Sequence, residues 1–339
     1  MIGMPGRQLI LFVTQQCPLR CVHCFNRQAP QNLKGPEINV EEARLVGREL
    51  KPIGQLSISG GEPFVRKDLP ELIEAVRAEG GARYLDIPTA GWQPGQVQQT
   101  MSAILKQRAW RRISLNLSLD GDVEQHDRIR GRAGSYERLI ETYRSVLPLR
   151  ADSRLQLKAV ITLMQGTAGA LDQTLNAMRR DMPQLDYAHV EPYRGPDLGE
   201  GIAPPSAQSM RQCRELVFGL YRGRRGLGPL RAAFKRVLWD EYTELLDGGP
   251  PRINCRAPDL GLVVGERLEV SFCEPGPLLG SLREQSLAQI LAGPRARSER
   301  ERIARGCACT HSCFMQPSAL YSPRAWTRVP LMLIKGGGR

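Results

Sequence analysis

Six segments rich in β-branched and large apolar residues recur, at intervals on the order of 30 residues, over the first 194 residues of this 339-residue chain. They cover residues 9–16, 56–61, 83–91, 113–121, 155–163 and 187–194. Segments of helical periodicity lie between them, with helix-start residues at Asn39, Asp68 and Ser135. Because parallel strands need such crossover connections, the alternation predicts a parallel sheet, either doubly wound or curled into a partial barrel.

The alternation stops after about residue 197, where a Pro- and Gly-rich linker begins. Two helices are predicted next, over 207–222 and 230–246. From Cys255 onward the pattern indicates a hairpin over 260–273, a helix over 281–292 and a cysteine-rich end. We therefore predict a first domain over 5–200, a helical linker region over 201–250, a small α+β domain over 251–325 and a tail over 326–339.

Cysteines and glycines stand where the predicted strands end. Cys17, Cys21 and Cys24 follow the first strand, and Gly60 and Gly61 close the second. In either kind of parallel sheet the carboxyl ends of the strands meet at one edge, so these residues are expected to converge there.

The clustered cysteines among the nine are predicted to be metal ligands or catalytic groups. The apolar run near the start, residues 9–13, is too short for a signal sequence or a membrane span, so we expect a cytoplasmic protein without membrane contact. Thiols stay reduced in that compartment. The spacing Cys17-x3-Cys21-x2-Cys24 suits a 4Fe-4S cluster with one open iron, whereas a closed zinc site takes four ligands. A zinc knuckle and a redox thiol cluster are the alternatives.

Four segments, taken together, resemble the radical S-adenosylmethionine (SAM) superfamily: the cysteine motif, SISGGEP (57–63), TAGW (89–92) and NLSLDGDVEQHDRIRG (116–131). His23 stands where that superfamily often has Phe or Tyr, and Ala90 where relatives often have Asn. The resemblance implies a partial (β/α)6 barrel of the TIM type with a small C-terminal α+β iron–sulfur extension. It implies SAM contacts from His23, Phe25, Gly60, Gly61, Glu62, Thr89, Ser118, Asp120 and Arg130.

The mechanism that this resemblance implies depends on the open iron. The amino and carboxylate groups of SAM would bind that iron, and one electron from a donor such as flavodoxin or ferredoxin would cleave SAM. The products are methionine and a 5′-deoxyadenosyl radical that abstracts hydrogen from the substrate. The protein orients the reactants and excludes water.

A second group of thiols consists of Cys255, Cys273, Cys307, Cys309 and Cys313. It resembles the SPASM/twitch extensions of radical SAM enzymes, which implies one auxiliary 4Fe-4S cluster held by four of the five. We favour Cys255, Cys273 and Cys313, with Cys309 or Cys307 as the fourth ligand. Structural zinc is the alternative.

Several residues are candidates for a direct part in the reaction. Cys213, on a predicted helix, is either a small core residue or a hydrogen-atom donor to a substrate radical. On the sixth strand His189, Glu191, Tyr193 and Arg194 could face the pocket; Glu191 or Tyr193 could serve as a base or be structural. The sequence leaves the roles of His126 and His311 open.

Charge is uneven along the chain. Residues 1–200 carry 26 Lys and Arg against 23 Asp and Glu, while residues 201–339 carry 21 against 12, with basic segments at 221–236 and 293–306. Such a surface would attract an acidic partner, or it is simply a solvated face. Because no aromatic interleaving or nucleic-acid motif accompanies it, nucleic acid is not an expected partner.

The resemblance favours an oxidative reaction, dehydrogenation or cross-linking, on a peptide or protein side chain. Only 16 residues precede Cys17, so we expect no N-terminal peptide-recognition domain. The alternative substrate is a small polar metabolite, such as an aminocyclitol or sugar that is oxidised, epimerised or decarboxylated. A further alternative is a non-enzymatic iron–sulfur or zinc protein that binds an acidic partner.

Overall fold

A single mixed sheet organises the computed structural model, which describes residues 7–27, 36–221 and 228–336. Within that part, nine strands are arranged in the order β6-β5-β4-β3-β2-β1-β7-β8-β9. The strands are β1 (Arg7–Phe12), β2 (Ile53–Ser59), β3 (Tyr84–Thr89), β4 (Arg112–Ser118), β5 (Leu155–Leu163), β6 (Tyr187–Pro192), β7 (Gly261–Val264), β8 (Glu269–Ser271) and β9 (Gly280–Ser281).

The strands β1 to β6 pair in parallel, each with its neighbour in sequence. The sheet does not close, since β6 and β9 form its two ends. Buried and partly exposed residues alternate along β3, β5 and β6, which is the pattern of a sheet with an apolar face under helices and a polar inner face. The predicted α/β class with an open partial barrel is confirmed.

Helices connect and cover the strands. They are α1 (Val40–Leu50), α2 (Leu69–Gly80), α3 (Pro94–Lys106), α4 (Val123–Arg130), α5 (Ser135–Val146), α6 (Leu171–Asp181), α7 (Ala207–Gly219), α8 (Gly228–Leu246), α9 (Ala257–Leu260), α10 (Leu287–Ala292), α11 (Pro294–Ala304), α12 (Ser312–Leu320) and α13 (Pro323–Gly336). None of the helices in the described part is both long and apolar enough to cross a membrane.

The predicted helix starts differ in how they are capped. Asn39 forms a reciprocal capping box with Glu42 and begins α1 as expected. Asp68 precedes α2, but its carboxylate pairs with Arg66 instead of capping the helix. Ser135 is the first residue of α5 and not its cap, because Gly134 takes the cap position in a left-handed conformation.

The C-terminal part continues the barrel sheet. Strand β7 pairs in parallel with β1, with Gln8 opposite Gly261, and β8 and β9 follow in antiparallel order. The helix predicted over 281–292 is shorter than expected: Ser281 belongs to β9, and Ser286 caps α10. The segment predicted as a tail from residue 326 lies largely within α13, which packs on α8.

The two basic segments fall on helices. Residues 293–306 largely form α11, and the end of the segment 221–236 belongs to α8. Residues 222–227 of that segment lie outside the described residues.

Candidate active site

A cavity of about 1290 Å³ runs along the inner face of the open barrel. Its wall extends from Arg7 and Arg112, at the starts of β1 and β4, to Tyr193 beyond the end of β6. Helix α8 and the C-terminal cysteine segment cover the remaining side. The cavity therefore brings together the strand ends, the helical region and the second group of thiols.

The first cysteine loop, residues 17–24, is held by the end of α4. The Val22 N–H donates to the Ile129 carbonyl at 2.9 Å, and the Arg20 N–H donates to the Arg130 carbonyl at 3.2 Å. These bonds use carbonyls that have no partner inside the helix, since the last turn of a helix leaves its carbonyls unpaired. The loop is thus fixed to α4 across more than 100 residues of sequence.

Arg132 also binds the cysteine loop. Its Nη1 donates to the Pro18 carbonyl at 2.9 Å, and its guanidinium lies 3.7 Å from the ring centre of Trp92. Gly131, at φ +67°, lets the chain turn so closely that a Cβ there would lie 2.4 Å from the Arg20 carbonyl oxygen. A side chain at position 131 would displace the cysteine loop.

A buried charge network lies beneath Cys21. Arg130 Nη2 lies 2.6 Å from Asp120 Oδ2, and Arg130 Nη1 lies 3.7 Å from the Cys21 sulfur. The other Asp120 oxygen accepts from the Thr162 N–H at 2.9 Å, and His23 Nε2 lies 3.6 Å from Asp120 Oδ2. Burial disfavours the Asp120 carboxylate, but the Arg130 guanidinium and the Thr162 N–H favour it and hold the pKa of Asp120 below its usual range.

Two buried nitrogens of this network, His23 Nδ1 and Arg130 Nε, have no hydrogen-bond partner within the described part of the chain. Burial lowers the pKa of His23, so its ring is neutral. Nearby, His126 accepts from the Asp120 N–H at 3.2 Å, and burial lowers its pKa to about 3. Since buried polar groups are normally paired, the two nitrogens next to the cysteine loop fit a polar ligand there. His126 Nδ1 is paired within the protein, whereas its Nε2 also has no hydrogen-bond partner among the described residues.

The loop after β2 packs directly on the backbone after β1. The Gly61 N–H donates to the Thr14 carbonyl at 2.7 Å, and the Glu62 N–H donates to the Gln16 carbonyl at 2.8 Å. Gly60 has φ +127°, and a Cβ on Gly61 would lie 2.2 Å from the Gln16 carbonyl oxygen. Only glycine fits at these two positions without moving the segment that leads to Cys17.

The Glu62 carboxylate is buried and held by three donors. One oxygen accepts from Thr89 Oγ1 at 2.9 Å and from the Phe64 N–H at 3.4 Å, and the other accepts from the Ala90 N–H at 2.7 Å. Burial raises the pKa of Glu62 despite these bonds. An ionised carboxylate has about four acceptor sites, so this group can still accept from a ligand ammonium.

We expect Glu62→Gln to weaken SAM binding by about tenfold or more. A Gln amide has one acceptor oxygen and one donor nitrogen, so either Thr89 Oγ1 or the Ala90 N–H would lose its partner, at a cost of about 1–3 kcal/mol. Equilibrium dialysis of SAM with reconstituted protein measures the dissociation constant. Glu266→Gln is the matched control, because Glu266 is also buried but its carboxylate pairs with Arg267 and not with Thr89 or Ala90. Equal SAM affinity in both variants would contradict the role of Glu62.

The other predicted residues of this part of the site are Phe25, Thr89, Ser118 and Tyr193. Phe25 is exposed; its ring meets the edge of Phe12, and the Arg194 guanidinium lies 5.8 Å from its centre. Thr89 and Ser118 end β3 and β4. Tyr193 is buried and meets His23 edge-on, with ring centres 6.4 Å apart.

The five C-terminal cysteines all line the cavity. Burial raises the pKa of Cys255 to about 11 and that of Cys273 to about 12. These thiols are therefore protonated without a metal and would release protons on binding one.

Glu274, His311 and Cys313 form the one group of three metal-ligating side chains in the described residues whose ligand atoms lie within 4.8 Å of one another. His311 Nδ1 lies 2.7 Å from the Cys313 sulfur, and Arg194 pairs with Glu274. Three cysteines on one zinc would lie about 4 Å apart, given Zn–S bonds of about 2.3 Å. Among the described residues no three of these thiol sulfurs all lie within 4.8 Å of one another, which argues against a zinc ion held by three of them.

The buried hydroxyl of Tyr242, on α8, has no hydrogen-bond partner within the described part of the chain. Burial raises the pKa of Tyr242 well above its usual value, and the nearby Glu191, Cys309 and Cys313 add to this effect. The hydroxyl can therefore donate to an acceptor that arrives with a bound group.

The candidates for catalysis separate into two places. Glu191 lines the cavity and pairs with Lys235 of α8 at 3.3 Å, and His189 lies 3.5 Å from the hydroxyl of Tyr221. Cys213 lies in the core, where its thiol donates to the Ala168 carbonyl at 3.4 Å, and it does not line the cavity. The geometry favours the core role that the sequence left open for Cys213.

The sequence did not predict a role for five residues of the site: Arg132, Trp92, Lys235, Glu274 and Tyr242. Glu274 could have been found, because it directly follows a predicted ligand, Cys273. The other four give no local signal, since their partners lie far away in the sequence or belong to a bound group.

Comparison with known proteins gives consistent results. A family model described as the radical SAM superfamily matches residues 11–166. PqqA peptide cyclase of Xanthomonas axonopodis pv. citri (strain 306) is 32% identical over 304 residues, covering 85% of this chain and 75% of that protein. PqqA peptide cyclase of Granulibacter bethesdensis (strain ATCC BAA-1260 / CGDNIH1) is 32% identical over 191 residues, covering 54% of this chain. This match spans 48% of the Granulibacter protein.

Among solved structures, native anSMEcpe with bound AdoMet and Cp18Cys peptide superposes with a TM-score of 0.62. It is 14% identical, and the match covers 98% of this chain and 100% of that one. At this identity the similarity supports the fold.

Proposed function

This chain belongs to the radical SAM superfamily, and on that premise we propose that it is an enzyme that oxidatively modifies a peptide side chain, by dehydrogenation or cross-linking. The proposal that the substrate is a peptide rests on the volume of the cavity. This volume, about 1290 Å³, exceeds the usual range of about 300–1,000 Å³ for small-molecule sites. The similarity to PqqA peptide cyclase supports the same substrate class. Membership of this superfamily removes the non-enzymatic alternative.

The first cofactor site would consist of the cysteine loop and its supports. Cys17, Cys21 and Cys24 would hold a 4Fe-4S cluster, and the open iron would take SAM. When bound, this pair supplies hydrogen-atom abstraction from an unactivated C–H bond. The unpartnered His23 Nδ1 and Arg130 Nε support a polar ligand at this place.

The chain's own residues would hold SAM and keep water out. The buried Glu62 carboxylate is positioned by three donors and can accept from the SAM ammonium. Gly60 and Gly61 provide the close backbone approach, and Thr89, Ser118 and Asp120 belong to the same strand ends. Arg130 would supply a cation for the SAM carboxylate. Phe25 and His23 line the cavity beside them.

The second site would hold one auxiliary 4Fe-4S cluster with four of the five C-terminal cysteines. The thiolate donor set and its wide spacing support a cluster over zinc, and the Tyr242 hydroxyl could donate to it. Such a cluster supplies an acceptor for one substrate electron, which is why we infer an oxidative outcome. Arg194 lies between the two sites, over Phe25 and paired with Glu274.

A small polar metabolite is the second candidate substrate, favoured by the polar inner wall of the barrel. Gln55 donates to Asp86 at 2.6 Å, and Lys158 donates to the other Asp86 oxygen at 3.1 Å. These groups could bind the hydroxyl or amino groups of a sugar or aminocyclitol. A peptide also brings polar side chains to this wall, and the similarity to PqqA peptide cyclase favours the peptide.

Anaerobic reconstitution tests the enzyme directly. Protein supplied with iron and sulfide, SAM and dithionite is expected to release 5′-deoxyadenosine, which chromatography detects. We expect about eight iron atoms per chain if both sites hold 4Fe-4S clusters, and about four if only the first does. Replacing dithionite by a reduced flavodoxin or ferredoxin tests the proposed electron donor. Fully loaded protein that releases no 5′-deoxyadenosine would refute the proposed activity.

A further inference from the structure

Helix α8 contributes only the Tyr242 hydroxyl to the proposed cofactor sites, yet its first half forms one wall of the cavity. Its lining residues repeat at helical spacing and so occupy one face of the helix: Leu230, Arg231, Phe234, Lys235 and Leu238. The sequence had assigned this region to a linker. A wall that shares the cavity with His23, Phe25 and the C-terminal cysteines is placed to contact the substrate.

Lys235 is the charged centre of that face. Its ammonium lies 3.3 Å from Glu191 Oε1, and the two side chains are 17% and 21% exposed. Burying both charges costs more free energy than one contact of 3.3 Å regains. The pair is therefore not explained by a contribution to the stability of the fold. An ammonium has three N–H donors, and Glu191 takes one of them. Among the described residues no other acceptor of this ammonium is found, so two donors remain for a group in the cavity.

The ammonium of Lys235 is charged. Burial alone would lower the pKa of Lys235, but Glu191 and the nearby Tyr221 outweigh burial and raise it. Tyr221 also lies 3.5 Å from His189, whose ring is stacked on Tyr187.

The charge balance of the cavity wall indicates the sign of the substrate. Among the described residues, the wall carries seven basic and three acidic side chains: Arg7, Arg112, Lys158, Arg194, Arg231, Lys235 and Arg302 against Asp86, Glu191 and Glu274. Arg194 and Arg302 interact with the C-terminal thiols and would balance their charge on metal binding. The positive charge that remains on the wall favours the binding of an anionic group in the cavity.

We propose that Lys235, whose ammonium lies beside Glu191, binds a carboxylate of the substrate, and that the cavity face of α8 thereby selects acidic peptides. This inference rests on the proposed peptide-modifying function and narrows its substrate class. The carboxylate comes either from an Asp or Glu side chain or from a peptide C-terminus. Both sources present the same group to the ammonium.

The test is equilibrium capture of random synthetic heptapeptides by reconstituted holoenzyme with SAM bound, read by mass spectrometry. One pool has amidated C-termini and the other has free acids. If Asp or Glu is enriched among captured peptides of the amidated pool, the carboxylate that Lys235 binds is a side chain. If only peptides of the free-acid pool are enriched, it is the peptide C-terminus. Because a hydrogen bond to a charged group is strong, we expect Lys235→Met to reduce the enrichment about tenfold and Lys235→Arg to restore most of it.

Two further variants separate binding from simple structural support. Glu191→Gln removes the partner but keeps the ammonium, so it is expected to retain acidic selection that Lys235→Met loses. Asp240→Asn, on the same helix, breaks an ion pair with Arg214 away from the cavity and serves as the matched control. Equal losses in Glu191→Gln and Lys235→Met, or no acidic enrichment by the wild type, would overturn the proposal. Release of 5′-deoxyadenosine by the wild type is measured separately, so failure of the proposed function is recognised independently.

Discussion

A variant in which alanine replaces Cys17, Cys21 and Cys24 together is expected to release no 5′-deoxyadenosine above the level of SAM in buffer. The three thiols are the only proposed protein ligands of the first cluster, and the SAM-binding iron is lost with them. The five C-terminal thiols are untouched, so about half of the wild-type iron, about four atoms per chain, is expected to remain. Chromatography and iron analysis of the reconstituted variant check both numbers.

Cys213→Ala is the control for this variant. Its thiol lies in the core and donates to the Ala168 carbonyl, outside the cavity wall, so iron content and SAM cleavage are expected to stay at wild-type levels. The triple variant would contradict the assignment if it kept all of its iron or still cleaved SAM. Loss of all iron would instead mean that the C-terminal thiols hold no cluster without the first one.

Local sequence patterns were sufficient for the barrel. All six predicted strands exist, and β5 has the predicted bounds, because alternation and flanking turn residues are short-range signals. The pairing of β7 with β1 was not predictable in this way, since Gly261 and Gln8 are far apart in sequence. Ser281 was assigned to a helix because its local pattern is helical, whereas the pairing with Glu269 makes it a strand residue.

The residues of the candidate site also divide into those with a local sequence signal and those without one. Cysteines and the Gly-Gly-Glu segment carry their chemistry in residue type and spacing, so the sequence was enough to nominate Cys21, Glu62 and Asp120. Arg132 supports the cysteine loop from 114 positions away, and Lys235 meets Glu191 only because α8 folds over the barrel. A surface Arg or Lys in a helix is indistinguishable by sequence from one that reaches into a cavity.

Replacing Arg130 by methionine is expected to lower the free energy of unfolding by about 3–5 kcal/mol. Asp120 is buried, and the Arg130 guanidinium at 2.6 Å is its closest cation. Methionine fills similar space but leaves the carboxylate charge uncompensated in a low dielectric, which is the most costly way to break a buried pair. Urea unfolding of the apoprotein measures the loss, because the pair needs no bound cofactor.

A double-mutant cycle distinguishes this loss from poor packing of the new side chain. Asp120→Asn/Arg130→Met removes both charges, so it is expected to be more stable than Arg130→Met alone by a large part of the lost free energy. The Asn carbonyl can still accept from the Thr162 N–H, which keeps that backbone bond paired. If the double variant were as unstable as Arg130→Met, volume rather than charge would account for the loss. The recovered stability would not restore SAM cleavage, because the cation proposed for the SAM carboxylate is absent from both variants.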